Sequence, residues 1–94
     1  KSNRQKPDSD FASPSSVFPN PVSDWSFITV HAPESVDRVQ IEVRDDMGRI
    51  IQQDQLKGGV GYIPLSTAQM KRGVYLCSVF FDGIHVSTEK IIKL

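Results

Sequence analysis

The chain has 94 residues, enough for one small domain and too few for two. Its 11 basic side chains balance 11 acidic ones, so it lacks the net positive field that favours nucleic acid or an anionic membrane surface. A single cysteine excludes an internal disulfide, and no apolar run approaches the ~20 residues of a membrane-spanning helix. We therefore predict no nucleic-acid partner and no membrane insertion.

The composition divides the chain into a linker over residues 1–14 and a domain over residues 15–94. The first stretch is polar, contains two prolines and has Phe11 as its only large apolar side chain, so burial cannot offset the entropy of ordering it. The chain begins at Lys1 rather than Met, and no signal-peptide pattern follows. We expect it to be a piece of a larger protein.

Short apolar runs alternate with turn residues roughly every 8–12 positions from Ser15 onward, the spacing of an all-β sandwich or barrel. The clearest run has Val39, Ile41 and Val43 on one face and polar residues on the other. Strands are predicted over residues 15–18, 25–32, 38–44, 49–56, 60–65, 74–81 and 84–94, the last as one strand or a pair. The pattern predicts an Ig-like β-sandwich of about seven antiparallel strands.

Turn residues punctuate these strands. In Asp45-Asp46-Met47-Gly48 the aspartates open a turn and Gly48 adopts the positive φ that closes it; Asp82-Gly83 predicts another hairpin. Lys57-Gly58-Gly59 is predicted to form a hairpin turn as well. One short helical turn is predicted over residues 66–70, with Ser66 as its N-cap.

The residues that carry catalysis or bind metals do not occur in a functional arrangement. His31, His85 and Cys77 lack the spacing of a zinc site, and Cys77 lies in the most apolar run, where a core position is expected. Asp45-Asp46 lacks the pattern of a calcium loop, and the glycines at 58–61 lack the Gly-Lys-Ser/Thr end of a phosphate loop. We predict no catalytic residues, no metal and no cofactor, and hence no enzyme.

Three segments together resemble one protein family. They are the entry Phe18-Pro19-Asn20-Pro21, the hairpin Val43-Arg44-Asp45-Asp46-Met47-Gly48-Arg49-Ile50-Ile51, and the close from Leu65-Ser66 through Gly73-Val74-Tyr75-Leu76 to Lys90-Ile91-Ile92-Lys93-Leu94. In this order the segments resemble the C-terminal sorting domain, type A, of proteins exported by the type IX secretion system of Bacteroidetes. The resemblance covers residues 15–94.

The resemblance implies a signal for secretion rather than an activity. The domain would be read by the outer-membrane type IX translocon while in transit through the periplasm. A sortase-like protease would then remove it at the linker, and the cargo, N-terminal to this chain, would be attached to the cell surface or released outside.

The resemblance also implies which residues matter. Recognition by the export machinery is expected at Lys90, Ile91, Ile92, Lys93 and Leu94. The last strand of a sheet lies at an edge, whose unpaired N–H and C=O groups would be offered to a receptor strand. The structural motif residues are Pro19, Asn20, Pro21, Gly48, Gly73 and Tyr75, and the Tyr75 hydroxyl is expected to bond to the backbone.

The sequence leaves one strand face and two other functions open. Ser26 stands where the family usually has an apolar inward residue, and Trp25 and Phe27 make the opposite face aromatic. The pattern does not say which face is the inner one. An Ig-like structural spacer is one alternative function, and a carbohydrate-binding module using Trp25, Phe27 and Phe81 as stacking platforms is the other.

Overall fold

The computed structural model describes residues 13–94, and most of them lie in β-strands separated by turns and loops. The strands are β1 (Ser15–Phe18), β2 (Phe27–Ala32), β3 (Val39–Arg44), β4 (Ile50–Leu56), β5 (Gly59–Pro64), β6 (Gly73–Phe81) and β7 (Ile84–Lys93). A 3-10 turn at Thr67–Gln69 lies between β5 and β6.

The strands form two antiparallel sheets packed face to face. One has three strands in the order β1-β2-β5, and the other has four in the order β4-β3-β6-β7. The predicted all-β sandwich with one helical turn is confirmed.

The core lies between the sheets and is built from every second residue of the strands. Val39, Ile41 and Val43 of β3 are at most 1% exposed, as the alternation predicted. Ile28 and Val30 of β2 face them from the smaller sheet, together with Ser26, whereas Trp25 and Phe27 are exposed on its outer surface. The structure thus decides the face that the sequence left open.

The predicted hairpin at Lys57-Gly58-Gly59 is wrong. β4 and β5 belong to different sheets, so this segment carries the chain across the sandwich. The Gly58 N–H donates to the Val36 carbonyl at 3.2 Å, and a Cβ at position 58 would lie 2.5 Å from that same oxygen. The glycine is required by close backbone approach rather than by a hairpin.

Smaller departures concern element ends. The strand predicted from Trp25 begins at Phe27, although the Leu65 N–H still donates to the Ser26 carbonyl at 2.9 Å in the register of the β2–β5 pairing. Ser66 occupies the N-cap position without a capping hydrogen bond from its side chain. The last segment is one strand, β7, with an irregularity opposite Val79 and Phe80.

Candidate functional site

The resemblance segments meet at one end of the sandwich, which we call the motif end. Antiparallel pairing brings the end of β3, the starts of β4 and β6, and the end of β7 to this end of the larger sheet. The β1–β2 loop reaches the same place through a parallel bridge between Val22 and Lys93. Segments separated by about seventy positions in sequence therefore become neighbours.

Asn20 joins the entry segment to the last strand. Its side-chain amide donates to the Lys90 carbonyl at 2.7 Å and accepts from the Ile92 N–H at 3.0 Å. Val22 continues the contact, because its N–H donates to the Ile92 carbonyl at 2.7 Å. We call this set of three bonds the Asn20 clasp.

Ser26 anchors the segment that contains Asn20. The Phe18-Pro19 and Asn20-Pro21 peptide bonds are both cis. The hydroxyl of Ser26, only 2% exposed, donates to the Pro19 carbonyl at 2.9 Å. Ser26 is thus satisfied by the entry segment, which explains a polar residue at an inward position.

The clasp changes the expectation for the edge of β7. The last strand was predicted to offer unpaired backbone N–H and C=O groups along its edge. This prediction is wrong at Lys90–Ile92, because the Lys90 carbonyl and the N–H and carbonyl of Ile92 already bond to Asn20 and Val22. The physical reason is that a distant loop supplies the partners that an adjacent strand would otherwise provide.

The five residues expected to be recognised differ in accessibility. Ile91 is fully buried in the core, Ile92 and Lys93 are half-buried, and Lys90 and Leu94 are exposed. The structure therefore places Ile91 in the packing and brings the other four to the surface at the motif end.

The β3–β4 turn closes as predicted. Gly48 has a φ of +83°, and the Asp45 carboxylate accepts from the Met47 and Arg49 N–H groups at 2.9 Å. The Arg49 N–H, with its guanidinium, lowers the pKa of Asp45 below its ordinary value despite opposing desolvation. These bonds hold the turn beside the start of β6.

The remaining motif residues lie across from that turn. Tyr75 is 7% exposed, and its hydroxyl donates to the Lys71 carbonyl at 2.6 Å, which confirms the expected bond to backbone. Gly73 opens β6 opposite Lys93. Both residues support the local structure of the motif end rather than its outer surface.

Three aromatic rings cluster on the outer side of the smaller sheet. The Phe18 and Trp25 centroids are 6.3 Å apart with an interplanar angle of 64°, and those of Trp25 and Phe27 are 5.8 Å apart at 56°. Rings tilted in this way pack edge against face and do not form one flat platform for a sugar. Phe81, the third proposed platform residue, is half-buried and packs against the core.

Cys77 and the possible metal ligands of residues 13–94 were the candidates for chemistry in the sequence. Cys77 is fully buried, and desolvation, reinforced by the carboxylates of Glu89 and Asp54, raises the pKa of its thiol to about 12. Within residues 13–94, no three His, Cys, Asp or Glu side chains cluster as metal ligands, and no helix has the length and apolar character to cross a membrane.

Sequence reasoning missed that Asn20 and Val22 close the edge of β7 and that Ser26 anchors the segment before them. A signal was present, because an asparagine between two prolines has its backbone restricted while its amide stays available. Nothing local indicated a partner seventy residues away.

One comparison with known proteins identifies a family. No curated protein matches the chain. The family model described as the secretion system C-terminal sorting domain matches residues 16–94, which includes the clasp, the β3–β4 turn and β7. The chain therefore belongs to the secretion system C-terminal sorting domain family, a non-enzymatic family whose members are the sorting signals of type IX secretion to the cell surface or outside.

Proposed function

We propose that this domain passes through the periplasm and directs a cargo protein, joined N-terminal to it, into the outer-membrane type IX translocon. The family match over residues 16–94 is the observation that carries this proposal. The folded motif end supports it, because two remote segments there form one surface.

We further propose that recognition uses side chains at the end of β7. The Asn20 clasp occupies the backbone groups of Lys90 and Ile92, so a receptor strand cannot pair there while the clasp is closed. Lys90 and Leu94 extend into solvent beside half-buried Lys93. Two ammonium groups and an apolar end are features that a protein partner can read without unfolding the domain.

A reporter fusion tests this function. The 94-residue chain is fused behind an inert reporter and expressed in a host with a working type IX system, and the reporter at the surface or in the medium is measured. We expect export of the parent and reduced export of Lys90→Gln/Lys93→Gln, whose melting temperature should stay near the parental value because neither lysine has a carboxylate partner among residues 13–94 and surface charges contribute little to stability. Arg38→Gln/Lys57→Gln, at the opposite end, is the matched control.

Two outcomes would contradict these proposals. A parent fusion that stays inside the cell would reject the sorting function and leave the structural spacer. Export of Lys90→Gln/Lys93→Gln at the parental rate would reject recognition at these lysines and leave the sorting function in place.

We also propose that a sortase-like protease removes the domain within residues 1–14 and that the cargo is attached to the cell surface. The polar, proline-containing composition of that stretch is typical of accessible cleavage sites. All but its last two residues lie outside the described part of the chain. Ser13 and Pro14 already contact the folded body, since Ser13 bonds to Glu89 and Pro14 accepts from the His31 N–H at 2.8 Å.

Mass spectrometry of the released domain tests this boundary. We expect its new N-terminus to lie before Ser13, because cleavage further along would break contacts with β2 and β7. Fragments that begin inside β1 or later would contradict the proposal.

A further inference from the structure

Basic side chains are concentrated at the motif end, where Asp45 and Asp46 also lie, although the chain is neutral as a whole. Of the eight Lys and Arg residues in 13–94, six lie at the motif end: Arg44, Arg49, Lys71, Arg72, Lys90 and Lys93. Arg44 pairs with Glu42 at 3.1 Å and Arg49 with Asp45 at 2.9 Å. The other four have no carboxylate partner among residues 13–94.

Exposed apolar side chains lie among these cations on the outer face of the larger sheet. Val74 and Leu76 of β6 are 44% and 45% exposed, although their strand is central. Val74 lies opposite Ile92, and Leu76 lies between Arg44 and Lys90 in the ladder. We call Arg44, Arg72, Val74, Leu76, Lys90 and Ile92 the basic-apolar face.

The rest of the outer face is different in character. Toward the opposite end, Gln40, Glu42 and Ser78 occupy the matching positions of β3 and β6, and Phe80, opposite Gln40, packs against the His85 ring with no Lys or Arg beside it in the ladder. An apolar centre with a basic rim is thus confined to the motif end. This arrangement is typical of protein interfaces, in which an apolar centre is surrounded by a polar rim.

We propose, building on the sorting function above, that the basic-apolar face docks on the export machinery against an acidic protein surface with an apolar centre. Charge complementarity indicates carboxylates on the partner, and Val74 and Leu76 indicate apolar groups between them. The recognised surface then extends from β7 across β6 to Arg44. It is a sheet face, which the closed Asn20 clasp leaves accessible.

The same observations argue against two other occupants. Binding to a lipid or polyanion surface draws its strength from many cations in a net basic molecule, whereas the described residues are nearly balanced overall. A second copy would have to bring an identical basic rim against this one, which like-charge repulsion opposes.

The test compares two double variants in the reporter fusion. Leu76→Thr/Arg72→Glu alters the basic-apolar face outside the β7 residues already proposed for recognition. Val60→Thr/Lys57→Glu is the matched control, since Val60 is 62% exposed on the smaller sheet and Lys57 lies at the opposite end. Export, melting temperature and oligomeric state by light scattering are measured for each.

We expect at least a tenfold loss of export for Leu76→Thr/Arg72→Glu, with a melting temperature close to that of its control. Leu76→Ile/Arg72→Lys, which keeps the apolar and basic character, should be exported like the parent. Export of the first variant at the parental rate, with the parent exported, would overturn this inference alone. A parent that is not exported would reject the sorting function and this inference together.

Two further results would also overturn it. One is a parental dimer that Leu76→Thr/Arg72→Glu converts to monomer, which would make the face a self-association surface. The other is co-sedimentation of the parent with phosphatidylglycerol vesicles that the variant loses, which would make it a lipid-binding surface.

Discussion

Asn20 shows how one side chain can replace a length of β-strand. Its amide carries both a donor and an acceptor, which match the alternating C=O and N–H on the outward side of β7. The bonds to Lys90 and Ile92 connect positions seventy residues apart, so they form only when the sandwich is assembled.

Replacing Asn20 should therefore weaken the whole domain. Asn20→Ala removes both bonds, and we expect the free energy of unfolding to fall by about 1–3 kcal/mol, since each bond contributes roughly 0.5–1.5 kcal/mol. Urea denaturation measures this change. Ser23→Ala is the control, because it removes only an exposed bond to the Trp25 carbonyl within the same loop; equal stability of the two variants would show that water replaces the clasp.

Gly48 has a different constraint, which is purely conformational. Its φ is +83°, and a Cβ added there meets no atom within 4 Å. Gly48→Val should lower the free energy of unfolding by about 1–3 kcal/mol through backbone strain alone. Gly48→Asn should cost less because asparagine tolerates this region, and export should fall only as far as folding does. A Gly48→Val melting temperature equal to the parental one would contradict this account.

At the scale of elements, the two edges of the larger sheet are protected in different ways. The Asn20 clasp covers β7 at its C-terminal end, whereas β4 has only β3 as a strand neighbour within residues 13–94. Asp54 of β4 lies opposite buried Ile41 and so points inward, where it accepts from Gln52 at 2.7 Å. An inward carboxylate on an edge strand opposes pairing with another chain.

Removing that carboxylate should expose the edge of β4 to self-association. We expect Asp54→Val to form concentration-dependent oligomers, because its inner face becomes apolar next to Leu56. Size-exclusion chromatography with light scattering detects them. Gln53→Val adds the same side chain to the outer face of the same strand, so if both variants stay monomeric the edge is protected by something other than Asp54.

At the scale of the whole molecule, the protonation of the Cys77 thiol is linked to the free energy of unfolding. It lies between the sheets without exposure, and burial raises the pKa of its thiol from 9.0 to about 12. The folded state therefore keeps a proton that the unfolded chain releases. Stability from this group is fully present below pH 9 and is lost as the pH rises toward 12.

The pH dependence of unfolding tests this linkage. Between pH 9 and 12 we expect the parental free energy of unfolding to fall more steeply than that of Cys77→Ala, by up to about 1.4 kcal/mol per pH unit. The two proteins differ only at position 77, so the contributions of all other groups cancel in the comparison. Parallel curves would show that the thiolate is tolerated in the core.

The sequence by itself determined what depends on neighbouring residues. Period-two alternation located β3, the most apolar run of the chain located β6, and the turns at Gly48 and Asp82-Gly83 followed from residues that favour a positive φ. The family likewise followed from the order of three local segments and was confirmed by the match over residues 16–94.

Tertiary structure alone decided what depends on contacts between remote segments. Gly58 looked like a hairpin glycine until the approach of the Val36 carbonyl showed a crossing between sheets. The inward position of Ser26 depends on the Pro19 carbonyl, and the closed edge of β7 depends on Asn20. The periodicity of a strand shows that it has two different faces. Which face is buried and which edge is paired depends on groups from remote segments, which come together only in the folded domain.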